Sequence, residues 1–239
     1  MPPHVQIDPR AHLEGRLVRR YKRFLADVEF PGGEIVTVHC PNPGRMLGTD
    51  TPGARVRCST SDNPKRKLAH TLEMIRVGRI WVGLHTLRAN QLVASGLAAG
   101  AIGGLDGYTG LRNEVRVGEG SRLDFKLEGH PRDSRDACVE VKSVTMAEGR
   151  RGLFPDAVTE RGRKHLEVLS RLAGEGNRAA LLFVVQRGDC ESVSPADAID
   201  PAYGEVLRRV ATEGVELLAV RARVTASRIR LEGMLPVLL

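Results

Sequence analysis

Two carboxylates and one ammonium group fall within a short stretch whose residue pattern is that of β-strands. Asp124 stands in Ser-Arg-Leu-Asp-Phe, and after a polar segment Glu140 and Lys142 follow in Cys-Val-Glu-Val-Lys-Ser-Val. Converging carboxylates can hold a divalent cation, and an adjacent ammonium group can neutralise a phosphodiester. The residue types and their spacing therefore indicate metal-assisted phosphodiester chemistry, as in a large class of metal-dependent nucleases.

Two strands that pair with each other are needed to bring these groups together. Apolar residues alternate with polar ones over residues 122–127 and 137–144, and the polar segment 128–136 joins the two runs. We expect an antiparallel hairpin with Asp124 opposite or next to Glu140. Because side chains repeat every two residues along a strand, Glu140 and Lys142 share one face.

The apolar neighbours of these charged residues place them in the domain interior. Buried charges without partners cost several kcal/mol, and two facing carboxylates raise one another's pKa. A bound Mg²⁺ or Mn²⁺ ion, held by Asp124 and Glu140, would resolve both problems and polarise the phosphate. Lys142 would position or activate the attacking water and offset negative charge. The alternative is a structural ion pair in which Lys142 joins one of the carboxylates.

Two further polar residues are weaker candidates for the same site. Glu114, in Arg-Asn-Glu-Val-Arg-Val, precedes the hairpin on a neighbouring strand and could supply a third catalytic carboxylate. It could equally be a solvated residue that pairs with Arg112 or Arg116. Asn90, on a predicted helix over residues 86–99 with Thr86 as its N-cap, could line the same pocket.

Charge and composition favour a nucleic-acid partner. The 239 residues include 36 Lys and Arg against 29 Asp and Glu, a net charge of +7, and such a balance suits a polyanion. No apolar run approaches the roughly 20 residues that span a bilayer, and no signal peptide is recognisable, so we expect a cytoplasmic protein without membrane contact. The four cysteines are scattered and are expected to be buried thiols.

Three basic clusters are candidates for contacts with nucleic acid. The first interleaves cations with aromatics, the second forms a loop, and the third lies on one face of a helix predicted from Asp156, the expected N-cap, to about residue 172. The alternative for each is a solvated surface. The residues are Arg19, Arg20, Tyr21, Lys22, Arg23 and Phe24; Lys65, Arg66 and Lys67; and Arg161, Lys164 and His165.

The first third of the chain reads as β-structure. Five or so short strands between residues 16 and 84 are separated by Gly- and Pro-rich turns. This spacing is typical of a small barrel or a sandwich, and an oligonucleotide-binding (OB) barrel is one such fold.

The rest of the chain mixes helices and strands. The expected order after residue 85 is α-β-β-β-α-β-α-β, with a wholly apolar strand at residues 179–185 of the kind found in the middle of a sheet. The order predicts an α/β domain with helices on both faces of one sheet.

With these residues in view, the chain resembles the sugar fermentation stimulation protein family over nearly its whole length. One departure is Pro43, where Thr is more usual. The matching segments, in order, are residues 20–28, 39–46, 63–68, 121–125, 139–145, 154–162 and 164–166.

The resemblance implies a fold of mixed α+β and α/β class. An OB-like barrel over residues 1–84 would precede a three-layer α/β domain over residues 85–239 of the PD-(D/E)XK, or restriction-endonuclease-like, type. It also implies DNA binding without strong sequence preference, RNA being the alternative. Two functions follow for testing: a Mg²⁺-dependent nuclease, or a non-catalytic DNA-binding regulator of sugar (maltose) metabolism genes on a nuclease scaffold.

Overall fold

The computed structural model describes residues 5–118 and 120–239. The first described strand is the short β1 (Gln6–Ile7), and the six strands of one sheet follow it. These are β2 (Leu13–Tyr21), β3 (Leu25–Glu29), β4 (Ile35–His39), β5 (Arg55–Thr60), β6 (His70–Val77) and β7 (Ile80–Gly83).

The N-terminal sheet closes into a barrel because its edge strand β4 pairs with β6. The strand order is β4-β3-β2-β5-β6-β7, and His39 of β4 pairs in parallel with Thr71 of β6. Strands β2 to β6 therefore form a closed five-stranded barrel, which decides between barrel and sandwich. Its interior holds apolar side chains such as Leu17, Val56 and Leu72, all at most 1% exposed.

The second part of the chain forms one large sheet between helices, with a small sheet beside it. The helices are α1 (Thr86–Ala98), α2 (Glu160–Gly174) and α3 (Pro201–Thr212). The remaining strands are β8 (Gly110–Arg116), β9 (Arg122–Glu128), β10 (Ala137–Val144), β11 (Met146–Glu148), β12 (Arg151–Phe154), β13 (Arg178–Val185), β14 (Ser192–Pro195), β15 (Val215–Val224) and β16 (Ile229–Leu235).

The large sheet has the order β1-β16-β15-β13-β10-β9-β8. Its centre is parallel, because β13 lies between β10 and β15 in parallel register, as its unbroken apolar sequence predicts. Helix α1 packs through Leu92 on one face, and α2 and α3 pack through Leu169 and Leu207 on the other. The three-layer α/β arrangement is confirmed.

The strand that precedes the barrel, β1, belongs to the sheet of the second domain. Strand β1 pairs with β16 at the edge of the large sheet, although Gln6 and Ile7 fall within the range predicted for the barrel. The domain limits at residues 84 and 85 otherwise stay predictions. In the described residues no helix is long and apolar enough to cross a membrane.

Two helix starts differ from the predicted ones. Thr86 is the first residue of α1 and donates from Oγ1 to the carbonyl of Pro41 at 3.1 Å, so His85 holds the cap position. Asp156 lies four residues before α2, whose N-cap is Thr159, with its side chain accepting a hydrogen bond from the amide of Gly162 at 3.0 Å. In each case the residue predicted as the N-cap forms a hydrogen bond with the barrel loop 41–46 instead of capping its helix.

Candidate functional site

The predicted hairpin forms, and it opens where the charged residues stand. Strands β9 and β10 pair antiparallel up to Val139 opposite Phe125. Beyond this pair, the amide of Val141 donates to Oδ2 of Asp124 at 2.8 Å. A side-chain oxygen thus accepts the hydrogen bond in place of a backbone carbonyl of the neighbouring strand. This bond places Asp124 beside Glu140, as the strand pattern predicts.

Glu140 lies at the centre of a buried polar cluster. It is 3% exposed, and its Oε1 accepts a hydrogen bond from Nζ of Lys142 at 2.6 Å and contacts Nδ1 of His165. Nζ of Lys142 is 3.3 Å from the same nitrogen of His165. Glu140 and Lys142 therefore share a face, and helix α2 adds an imidazole that the sequence had assigned to phosphate binding.

The contacts of His165 select one tautomer of its ring. A neutral imidazole has one donor and one acceptor nitrogen. Nδ1 lies against the Glu140 carboxylate and is the donor, while Nε2 is 3.5 Å from Nε of Arg161 and is the acceptor. His165 thus links the carboxylate to a guanidinium at the surface of α2.

Helix α1 supplies the remaining partner of Asp124. Nδ2 of Asn90 donates to Oδ1 of Asp124 at 2.6 Å. Asn90 therefore lines the site, as the sequence suggested, and orients the aspartate.

The two carboxylates have pKa values shifted in opposite directions. Burial, followed by the negative charge of Glu140, raises the pKa of Asp124 above its ordinary value. Burial also acts on Glu140, but the hydrogen bond from His165 and the charge of Lys142 outweigh it and lower the pKa of Glu140. Asp124 is therefore the carboxylate that an added positive charge would stabilise most.

The donor set fits a divalent cation of the Mg²⁺ type. Oε2 of Glu140 is buried without a hydrogen-bond partner among the described residues. An unpaired buried carboxylate oxygen is costly, and a cation would satisfy it together with Asp124. No group of three or more His, Cys, Asp and Glu side chains in residues 5–118 and 120–239 could hold a metal ion. Mg²⁺ is commonly bound through one or two carboxylates, with water and phosphate oxygens completing its shell.

The cluster forms the floor of a cavity of about 590 Å³ between the barrel and the α/β domain. One wall comes from the barrel through Arg23 and the loop residues 42–44, and the other from residues 153–159 and the first turn of α2. Asp156 joins the walls, because its carboxylate accepts a hydrogen bond from the amide of Met46 at 2.8 Å. The cavity is thus built by both domains.

Glu114 lies elsewhere. It is absent from the cavity lining, its side chain is 73% exposed, and its carboxylate pairs with Arg122 at 2.8 Å. Its backbone has a φ of 51°, an unusual value on a strand. The surface ion pair, the alternative that the sequence left open, is what the structure has, although the partner differs from those expected.

The first basic cluster divides into structural and exposed residues. Arg19 pairs with the buried Asp27 at 2.8 Å and covers the ring of Tyr21, whose hydroxyl also donates to Asp27. Arg20 donates to backbone carbonyls of the loop that lines the cavity, including Asn42 at 2.9 Å. These three residues are engaged within the barrel, whereas the turn that follows is exposed and consists of Lys22, Arg23 and Phe24.

The other two clusters are also split. Lys65, Arg66 and Lys67 form an exposed loop, and the Arg66 side chain donates a hydrogen bond to Oγ1 of Thr71 at 2.8 Å. On α2, Arg161 and His165 line the cavity. Lys164 is exposed and lies outside it.

Several lining residues were not predicted. Leu87 and Val158 line the cavity yet are 61% and 67% exposed. Nothing in their local sequence marks them, because an apolar residue at the first turn of a helix or before a cap is ordinary. Gly162, on the first turn of α2, leaves room for Thr159 and the Tyr203 ring, which a Cβ would meet at 2.7 and 3.2 Å.

The architecture and the site define a class of protein. An OB barrel is joined to a three-layer α/β domain, with a carboxylate–carboxylate–lysine cluster on the hairpin of β9 and β10. Family models match both parts. One, described as "Sugar fermentation stimulation protein RE domain", covers residues 87–228, and the other, described as "SfsA N-terminal OB domain", covers residues 18–84.

The chain belongs to the sugar fermentation stimulation protein family. A homolog from Geobacter sulfurreducens is 52% identical over 96% of this chain and 97% of its own. Another, from Halorhodospira halophila, is 55% identical over 94% of each chain. Among solved structures, SfsA of Pyrococcus furiosus in complex with Ca²⁺ is 25% identical, covers 95% of this chain and 96% of its own, and has a TM-score of 0.86.

Proposed function

We propose that this chain is a divalent-cation-dependent nuclease that hydrolyses phosphodiester bonds of DNA. One observation carries the proposal: Asp124, Glu140 and Lys142 converge on the floor of the cavity, where Oε2 of Glu140 is buried without a partner among the described residues. A purely structural ion pair does not require a second carboxylate beside it, nor a buried carboxylate oxygen without a hydrogen-bond partner.

Mg²⁺ or Mn²⁺ is the cofactor that this donor set suits. Asp124 and Glu140 would be its protein ligands, and bound there it would withdraw charge from the phosphate. The relative from Pyrococcus furiosus was solved in complex with Ca²⁺, a hard divalent cation of the same ligand preference, which supports the choice.

Each residue of the cluster has a separate task in the hydrolysis. Water adds to phosphorus, one phosphorus–oxygen ester bond breaks, and the departing oxygen takes up a proton. Lys142 places a positive charge beside the phosphate as negative charge develops. Asn90 and the amide of Val141 hold Asp124 in position, and His165 holds Glu140. The cluster is therefore oriented before substrate binds.

DNA is the substrate class that the surface charge favours. The chain carries a net charge of +7, and Arg23 and Arg161 lie on opposite walls of the cavity. Guanidinium groups bind phosphate oxygens irrespective of base sequence, so binding without strong sequence preference is expected. RNA is the alternative polymer with the same backbone charge.

A second function is favoured by the family name and by one feature of the cluster. The chain's relatives are named for sugar fermentation stimulation. Lys142 already pairs with Glu140, which His165 also contacts, as expected of an ion pair with a structural role. In that case the protein is a DNA-binding regulator of sugar (maltose) metabolism genes and the trio is structural.

Cleavage assays separate the two functions. Purified protein is incubated with single-stranded and duplex DNA and RNA, in Mg²⁺, in Mn²⁺ and in chelator. We expect cleavage that requires the cation and is lost in Asp124→Ala and Lys142→Ala while DNA binding persists. Glu114→Gln, a carboxylate change outside the cavity, is the control and keeps the wild-type rate.

The opposite results would favour the regulator. Binding without cleavage of any of the four substrates in either metal would contradict the nuclease proposal. Cleavage that survives in Asp124→Ala would show that a contaminating enzyme or another site is responsible.

A further inference from the structure

We propose that the cavity binds an unpaired DNA strand, with base faces against Leu87 and Val158 and phosphates against Arg23 and Arg161. This inference names the substrate class of the proposed nuclease site and rests on that function. It starts from the two apolar side chains of the cavity wall, which the hydrolytic cluster does not use.

Leu87 and Val158 are apolar side chains with high solvent exposure. They are 61% and 67% exposed, the two highest values among the exposed large hydrophobic residues of the described chain. Both line the same cavity, one on the first turn of α1 and the other just before α2. Exposed apolar groups that share the rim of a charged cleft mark a binding surface.

The surfaces that nucleic acids offer decide which ligand fits. In a duplex the base faces are covered by stacked neighbours, and the outside offers phosphates, sugars and groove edges. An unpaired strand exposes base faces, which stack on apolar and aromatic side chains regardless of sequence. Apolar contacts beside cations are therefore suited to an unpaired strand.

The size of the cavity points in the same direction. Its volume of about 590 Å³ is that of a pocket for one drug-sized molecule. A nucleotide with its phosphate is of that size, whereas a base pair with both backbones is larger. Since Glu140 lies on the floor and is 3% exposed, the phosphate must enter the cavity to reach it.

The cations of the walls are placed for the backbone of such a strand. Arg23 stands on the exposed β2–β3 turn with a φ of 65°, and Arg161 is exposed on the first turn of α2. Within residues 5–118 and 120–239, neither guanidinium forms an ion pair with a carboxylate, and the only side-chain hydrogen bond of Arg161 is with His165. Both are therefore available for phosphate oxygens of the strand.

Binding in chelator tests the inference without requiring cleavage. The probes are a labelled single-stranded oligonucleotide and the blunt duplex of the same sequence, measured by fluorescence anisotropy at one salt concentration. We expect the full-length protein to bind the single strand roughly tenfold more tightly. In the double variant Leu87→Ser/Val158→Ser, single-strand affinity falls roughly tenfold and duplex affinity changes less than about twofold.

A matched double variant controls for the loss of apolar surface. Ile35→Ser/Leu238→Ser removes two exposed apolar side chains, 59% and 50% exposed, that do not line the cavity. It is expected to bind both probes as the wild type does. Equal affinity for the two probes, or equal loss of both in Leu87→Ser/Val158→Ser, would overturn the inference.

The same probes in Mg²⁺ distinguish this inference from the proposed function. Preferential binding of the single strand without any cleavage keeps the inference and contradicts the nuclease. Cleavage of the blunt duplex as fast as of the single strand keeps the nuclease and contradicts the inference.

Discussion

At the scale of single residues, two neighbouring carboxylates differ in what surrounds them. The carboxylate of Glu140 contacts Lys142 and His165, and its pKa is lowered. The carboxylate of Asp124 accepts hydrogen bonds from the amide of Val141 and from Asn90, and its pKa is raised. Groups whose environments push their pKa values apart often mark the working part of a site. The ionised form of Asp124 lowers the stability of the fold, and a cation bound beside it would offset this loss.

This cost gives a stability prediction for Asp124→Asn. Because the folded pKa is raised, the ionised aspartate destabilises the fold above that pKa, and the effect disappears below the unfolded value of about 3.9. In chelator near neutral pH, the variant should therefore melt a few degrees higher than the wild type. The Asn90 amide can rotate to present its oxygen, so the hydrogen bond survives.

Thermal unfolding with and without Mg²⁺ checks the prediction. The wild type should gain stability from the cation, and the variant should gain none. A variant that melts below the wild type in chelator, or that keeps the cation-dependent gain, would show that Asp124 is structural.

The alternating strand pattern predicted the positions of the two carboxylates and the lysine, but not the other residues of the site. A period of two suffices to put Glu140 and Lys142 on one face and to bring Asp124 beside them. It could not place His165, whose position depends on how α2 packs against β10. It also made Glu114 a candidate, although that residue turns outward to Arg122.

At the scale of elements, the segment between barrel and helix holds a titratable group. His85, at the cap position of α1, has a pKa lowered to about 4, chiefly because it is buried, and its Nδ1 has no partner among the described residues. Protonation of this ring therefore opposes folding.

His85 predicts a loss of stability in mild acid. The unfolded chain takes up the proton near pH 6.5 and the folded chain only near pH 4, so stability falls as pH drops between those values. The full loss is on the order of 3 kcal/mol. In His85→Phe, which keeps a ring without titrating nitrogens, this part of the pH dependence should vanish.

Urea unfolding at a series of pH values measures it. His12→Phe, at an exposed position, is the control and should retain the wild-type slope. An unchanged slope in His85→Phe would mean that the ring is hydrated and titrates normally.

Element ends were the least predictable part of the fold. Thr86 and Asp156 both have sequences suited to caps, yet each bonds across to the barrel loop, to Pro41 and to Met46. Local sequence cannot reveal that competition, since the partners are 45 and 110 residues away.

At the scale of the whole molecule, the two domains are joined by buried polar contacts. Glu73 of the barrel is 1% exposed and accepts two hydrogen bonds from Arg88 of α1, at 2.8 and 3.0 Å. The amide of Gly83 donates to the carbonyl of Gln186 at 2.9 Å. Such contacts fix the position of the barrel relative to the cluster of Asp124, Glu140 and Lys142. Their distance along the chain put them beyond prediction. The element order predicted the α/β class of the second domain, whereas the strand spacing of the first domain left a barrel and a sandwich open.

The interdomain ion pair predicts a large effect for Arg88→Met. Leaving the buried Glu73 carboxylate without a cationic partner, with only the hydroxyl of Ser59 as a side-chain donor among the described residues, should cost about 3–5 kcal/mol of unfolding free energy. Glu73→Gln/Arg88→Met, which removes both charges, should recover most of that loss. Denaturant unfolding measures all three proteins.

An exposed pair provides the comparison. Arg208→Met breaks a surface pair with Asp197 whose partners are 42% and 46% exposed, and it should cost less than about 1 kcal/mol. If Arg88→Met cost no more than this, the two domains would not depend on the pair for docking.

The proposed nuclease function is tested most directly by replacing the lysine beside the two carboxylates. With protein in excess over labelled single-stranded and duplex DNA in Mg²⁺, the cleavage rate is measured for the wild type, Lys142→Met and Lys126→Met. Lys126 lies on β9 but pairs with Glu128 and Asp136, away from the cavity, which makes it a matched control. We predict cleavage by the wild type and Lys126→Met, and a loss of about 100-fold or more in Lys142→Met. Equal rates in all three proteins, or no cleavage by the wild type, would contradict the account.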